Sequence, residues 1–182
     1  MLRSVHGGRT AVASDPDDER EAVFQTLAEQ HIHEAYKLAN AVLADPAAAQ
    51  DAVHDSFLKA WERWSSLRDP ARFDSWFKRI VINTCRDRLR EAGRHGMADL
   101  DNEADLESSD ALTDIEEHIR VEQALARLKP DDQILLALRY YRDLQLDDIA
   151  ELLGVPTGTV KSRLSAAHGR LRSTLGRPEG TA

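Results

Sequence analysis

Cysteine, aromatic side chains and long apolar runs are all scarce in this 182-residue chain, and each scarcity excludes something. The single Cys85 cannot close an internal disulfide, so packing has to hold the fold. No apolar run approaches membrane-spanning length and no hydrophobic segment follows Met1-Leu2-Arg3, so we expect no membrane insertion and a cytoplasmic protein. Aromatics make up 5%, β-branched runs are short, and Ala, Leu, Glu, Arg and Asp fill the periodic segments, which predicts an all-α fold. Catalytic patterns are missing as well. His31 and His33 are two apart and face different sides of a helix, while His54, His95, His118 and His168 lack metal-ligand spacing. There is no glycine-rich phosphate loop and no acid–base pair, so no enzyme, catalytic residue, metal or cofactor is expected.

Net positive charge is also wanting: 24 Lys and Arg face 32 Asp and Glu, a balance of -8. The imbalance is local, because residues 91–118 carry one cation and ten anions, whereas 21–90 carry ten of each and 119–182 carry ten cations and eight anions. The acidic stretch has few large apolar residues and no helical period, as a flexible linker would. The chain therefore divides into a disordered tail (1–20, with Gly7-Gly8 and Asp15-Pro16-Asp17-Asp18), a helical domain (21–92), an acidic linker (93–118), a second helical domain (119–176) and a short tail (177–182).

The second domain holds the most informative stretch, Leu144 to Arg172, which reads as two short helices around a tight turn. Ala150 is small enough for a close helix crossing, Gly154 can take the positive φ that ends the first helix, and Val160 fills the angle between the two. Ile149, Leu152 and Leu153 form the apolar side of the first helix, and Val160, Leu164, Ala167 and Leu171 that of the second. Pro156 suits the first turn of the second helix. Its other faces carry Thr157, Thr159, Lys161, Ser162, Arg163, Ser165 and Arg170, and no acid occurs from Val155 to Pro178. An acid-free basic helix after such a turn points to a DNA-reading helix-turn-helix.

The first domain opens with a helical period from Ala22 to about Ala44, broken at Asp45-Pro46. A second helix, Ala47 to Trp64, has an apolar stripe (Val53, Phe57, Ala60, Trp61, Trp64) and an acidic one (Asp51, Asp55, Glu62) suited to a basic partner helix. The tryptophans Trp61, Trp64 and Trp76 are expected in the core. A third helix, about Phe73 to Arg90, packs through Phe73, Trp76, Phe77 and Ile80, while Arg79, Asn83, Arg86 and Arg90 line up as a single outward stripe. A second basic helix suggests two contacts with one nucleic acid.

Three blocks, DAVHDSFLKAW (51–61), RFDSWFKRIVINTCRDRLR (72–90) and LDDIAELLGVPTGTVKSRL (146–164), together resemble the extracytoplasmic-function sigma factors of bacterial RNA polymerase. The resemblance implies an alternative sigma factor that binds core polymerase, recognises two promoter elements and promotes strand opening. It implies that Asp51, Asp55, Phe57, Leu58 and Trp61 meet the coiled-coil clamp of the largest polymerase subunit. Arg79, Asn83, Arg86 and Arg90 would contact the upstream melting element, and the loop carrying Arg68 and Arg72 would receive an unstacked base. Thr157, Thr159, Lys161, Ser162, Arg163, Ser165 and Arg170 would read the farther upstream element in the major groove. An anti-sigma protein is an implied partner too. The chain departs from the family pattern at Ala166-Ala167-His168, where a basic run is common, and at His54, where Gln is common. A stand-alone helix-turn-helix regulator is the rival reading, but it would need neither the second basic helix nor the acidic face.

Overall fold

The structure is a computed structural model and describes residues 16–96 and 119–176; the expected C-terminal tail, most of the expected N-terminal tail and residues 97–118 of the expected acidic linker lie outside the described residues, while the linker's first four positions, 93–96, belong to the third helix, which runs past the expected end near Arg90. Every regular element among the described residues is helical. Three long helices come first: α1 (Pro16–Leu43), α2 (Pro46–Glu62) and α3 (Phe73–Gly96). They are followed by α4 (119–126), α5 (Pro130–Leu136), a π turn (Ala137–Tyr141), α6 (Leu146–Leu153) and α7 (Thr157–Leu175).

The helix α1 begins inside the segment expected to be a tail. Pro16 followed by Asp17, Asp18 and Glu19 is a helix-start pattern, since proline needs no N–H partner there and acids favour the positive end of the helix dipole. At the other end the chain turns through Ala44 in the left-handed region (φ 53), and Asp45 then caps α2 by accepting from the Ala47 and Ala48 N–H groups at 2.8 and 3.1 Å. Between α2 and α3, Trp64–Ser66 and Pro70–Arg72 form 3-10 turns, the second capped by Asp69, which accepts from the Ala71 N–H at 3.0 Å.

The few aromatic residues are concentrated here. All four phenylalanines and all three tryptophans belong to α1–α3 and the turn between α2 and α3, where they form one ring cluster. Phe77 stacks on Phe57 at 4.4 Å and on Phe73 at 5.3 Å, and Phe24 meets Trp61 and Trp64 edge-on. Trp64 is buried as expected and Trp76 half-buried, but Trp61 keeps 46% of its surface exposed. Its ring meets Phe24 at 5.1 Å and nearly half of the residue stays in solvent.

The C-terminal helices pack around Ile134, Leu138, Ile149 and Val160, all nearly inaccessible. Gln133 closes the turn between α4 and α5 by donating to the Leu128 and Ala126 carbonyls at 2.8 and 3.2 Å. In the π turn the Arg142 N–H reaches the Ala137 carbonyl at 3.1 Å, five residues back. Gly154 ends α6 at φ 67 and ψ 37; its N–H goes to Glu151 and that of Val155 to Ala150, as in a Schellman cap. Pro156 sits one position earlier than expected, as the N-cap of α7 rather than within its first turn. A single apolar cluster runs from Ala35, Phe73 and Val81 through to Ile134, Ile149 and Val160, so the two helical regions are packed on one another.

Candidate nucleic-acid and polymerase interfaces

On α2, alternation of small inward residues (Ala49, Ala52, Ser56, Ala60) with larger outward ones brings the helix close to its neighbours and leaves its other side open. Leu58 is 53% exposed and lies three positions before the exposed Trp61 on the same helix. Phe57 is partly buried, its ring stacked on Phe77 beneath. Asp55 accepts from Arg88 Nη2 at 2.6 Å, and Asp51 lies 3.9 Å from Nη1 of the same guanidinium, so α3 partly neutralises the acidic stripe. Glu62 stays exposed. Beside this face, Ile32, His33, Tyr36, Gln50, Val53, His54 and Phe57 line a groove of about 430 Å³ between α1 and α2. Ile32 follows the inward period of α1 in sequence yet is exposed at this groove, and His33 and His54 carry no sequence signal for it.

The α3 stripe is less free than its spacing suggests. Arg79 Nη2 donates to the Glu151 carbonyl of α6 at 2.6 Å. Arg86 Nε donates to Asp131 Oδ1 of α5 at 2.7 Å, and its Nη1 donates to Asn83 Oδ1. Arg90 Nη1 is 3.8 Å from Asp87 Oδ1 on the same helix. By contrast Arg68 and Arg72 are exposed and have no carboxylate partner among the described residues.

On α7, Lys161, Ser162, Arg163 and Ser165 face solvent, and neither Lys161 nor Arg163 has a carboxylate partner among the described residues. Thr157 Oγ1 donates to Asp147 Oδ1 of α6 at 2.6 Å, tying the two helices at the turn, and Ser162 Oγ donates to the Thr159 carbonyl at 3.0 Å. Thr159 is half-buried. Arg170 departs from the expected DNA set. Its Nε and Nη2 donate to the two oxygens of Asp132 at 2.6 and 2.7 Å, and Asp132 is 5% exposed. A buried carboxylate requires such a partner, which is why this cation turns to the fold; the same hydrogen bonds raise its pKa further. His168, at the departure from the family pattern, hydrogen-bonds Tyr140 Oη through Nε2 at 2.7 Å, beside the exposed Tyr141.

No group of His, Cys, Asp and Glu among the described residues is arranged to hold a metal ion, and no described helix is long and apolar enough to cross a membrane. Burial pushes the Cys85 thiol up to about 12, which leaves it unreactive in the core.

Comparison with known proteins assigns the two helical regions separately. Residues 27–95 match Sigma-70 region 2, and residues 118–171 match Sigma-70, region 4. The chain is 35% identical over 153 residues to the ECF RNA polymerase sigma factor SigM of Mycobacterium tuberculosis, covering 84% of this chain and 77% of that one. It is 31% identical over 166 residues to the RNA polymerase sigma-H factor of Pseudomonas aeruginosa, covering 84% and 86%. Among solved structures, CnrH in complex with the cytosolic domain of CnrY shares the fold at a TM-score of 0.55 and 24% identity, covering 85% of this chain and 88% of that one. With a helix-turn-helix at its C-terminal end, a region 2 helical bundle before it and relatives of this similarity along most of its length, the chain belongs to the ECF sigma factor family, alternative sigma factors that bind DNA and direct transcription initiation by RNA polymerase.

Proposed function

We propose that the three faces divide the work of initiation. The α2 face of Asp51, Asp55, Phe57, Leu58 and Trp61 docks on a basic coiled coil of core polymerase; exposed Leu58 and Trp61 supply the apolar anchor and the carboxylates supply steering. Arg68 and Arg72 with the Arg79, Asn83, Arg86 and Arg90 stripe hold the melting element. Guanidinium groups neutralise the phosphates of the separated strand, and binding to that strand offsets the stacking lost on opening, so no hydrolysis is needed. On α7, Thr157, Thr159, Lys161, Ser162, Arg163 and Ser165 enter the major groove of the farther upstream element. The protein makes and breaks no covalent bond in this scheme and works in the cytoplasm, where polymerase is. An anti-sigma protein covering the polymerase-binding faces is a further proposed partner.

The observation that carries the reading is the exposure of Lys161 and Arg163 on a helix held at the angle set by Gly154, Val160 and the Thr157–Asp147 hydrogen bond. Run-off transcription with bacterial core polymerase on promoter-containing genomic fragments tests it. Specific starts are expected only with the protein present, and are lost with Asp55→Arg or Arg163→Glu. Sequence-specific binding by the protein alone, with no polymerase-dependent start, would instead mark an ordinary regulator.

A further inference from the structure

The basic residues of α3 do not all belong to the stripe assigned above to the melting element. Arg79, Asn83, Arg86 and Arg90 share one side of the helix, whereas Arg88, nine positions after Arg79, points about 180° away, toward α2. There its Nη2 donates to Asp55 Oδ2 at 2.6 Å, and its Nη1 lies 3.9 Å from Asp51 Oδ2. Asp51 and Asp55 are one turn apart on α2, so a single planar guanidinium, 29% exposed, backs two carboxylates that are 72% and 44% exposed. The needs of the fold do not explain this pairing. Arg88 Nε is buried with no hydrogen-bond partner among the described residues, a cost the packing carries while the two Nη groups reach outward to the acids. Contact between α2 and α3 has other sources: Phe57 stacks on Phe77 at 4.4 Å, and Lys59 Nζ donates to Oγ1 of the buried Thr84 at 3.1 Å. What Arg88 supplies is order in the acidic stripe. Its hydrogen bond uses one of the roughly four acceptor positions of a carboxylate, so Asp55 can still accept from a partner while its rotamer is held.

We propose that Arg88 is a positioning residue for polymerase docking: from behind α2 it holds Asp55, and with it Asp51, in the orientation in which they meet the basic coiled coil. The proposal rests on the reading of Asp51 and Asp55 as polymerase contacts. Two effects of Arg88 oppose each other. Its positive charge repels a basic partner, and its grip removes side-chain freedom that docking would otherwise have to remove. The repulsion acts through solvent, where physiological salt with a Debye length of about 8 Å screens it, whereas ordering is indifferent to salt. Each rotamer-rich side chain ordered beforehand is worth roughly two- to tenfold in affinity, so the grip wins.

Association and dissociation of the full chain on immobilised bacterial core polymerase test this, with Arg88→Met, Asp55→Asn and the double variant. Arg88→Met is expected to dissociate about fivefold faster. Its association is expected not to slow, because the acidic face becomes one charge more negative; a general loss of folded structure would instead lower the competent fraction and slow association. In the Asp55→Asn background the same change is expected to add no further loss, since its effect passes through that carboxylate. Arg88→Lys, which keeps the charge but not the planar fork, is expected to lie between, at about twofold, and carries the same cycle if the methionine variant fails to fold. An unchanged dissociation rate in both Arg88 variants, slower association instead, or an equal loss with and without Asp55 would each overturn the positioning role. Docking that Asp55→Asn leaves untouched would overturn its premise, the assignment of the acidic face to polymerase.

Discussion

Phe77→Ala is the substitution that tests most of the packing argument at once. The ring is 1% exposed and stacks on Phe57 at 4.4 Å and Phe73 at 5.3 Å, so α2 and α3 both lose a partner when it goes. A buried Phe→Ala change costs about 3–5 kcal/mol through lost transfer energy and the residual cavity, and the two ring pairs, at about 0.5–1.5 kcal/mol each, put this site at the upper end. Domains of this size have about 5–15 kcal/mol in total, so the variant should fold but unfold at much lower denaturant. Because the apolar cluster runs on to Ile149 and Val160, the loss should be felt in both helical regions. Urea titration with two probes reads this directly: Trp61, Trp64 and Trp76 report the N-terminal helices by fluorescence, and circular dichroism reports the helices of the whole chain. Coincident midpoints are expected in the parent protein, and both should move together in Phe77→Ala. A fluorescence midpoint that moves while a separate dichroism phase keeps its parental value would refute the single cluster, and a loss below about 1 kcal/mol would refute the stacking geometry.

Backbone conformation predicts opposite signs at two helix ends. Ala44 sits at φ 53, so Ala44→Gly should stabilise by about 0.5–1 kcal/mol in thermal melts, whereas Gly154→Ala should destabilise by about 1 kcal/mol from backbone strain alone, since a Cβ there meets nothing within 4 Å. Cys85 should resist a thiol reagent in native buffer and react fully in denaturant, with accelerated native labelling only in variants such as Phe77→Ala. Lys37 and then Arg142 hold the Glu34 carboxyl down at about 2 from an ordinary 4.5, so the Glu34–Arg142 bridge is complete above pH 4.5 and is lost as pH falls toward 2. A carboxyl-carbon NMR titration should therefore place the Glu34 midpoint well below that of an unpaired glutamate, and Lys37→Gln and Arg142→Gln should each move it up.

Local features were legible because their causes are local. The Asp45-Pro46 break, the Gly154 cap and the inward residues of α6 and α7 all follow from spacing within one or two turns, and the structure has them where spacing puts them. Cation partners were not legible, for the opposite reason. Arg170 looks like one more member of a basic face, and only the fold brings it to Asp132, 38 positions away; Arg79 meets Glu151 across 72 and Arg142 meets Glu34 across 108. Charge patterns have no period that records such distances. The start of α1 at Pro16 was legible in principle, because proline followed by acids marks a helix start as well as it marks a loop.

The π turn at Ala137–Tyr141 has a consequence of another kind. It holds one residue more than an α turn would, and the chain leaves it toward Arg142, which reaches Glu34, and Leu144, whose N–H meets the Leu138 carbonyl at 3.1 Å. Removing one residue of this turn would let it relax toward an α turn and would shorten the path by which Arg142 and Leu144 reach their partners. The aim of the DNA-reading helices is in this sense counted as well as spelled: exposed Tyr141 can change identity with little effect on direction, whereas the number of residues in the turn, and Tyr140 with its hydrogen bond to His168 of α7, help to fix it.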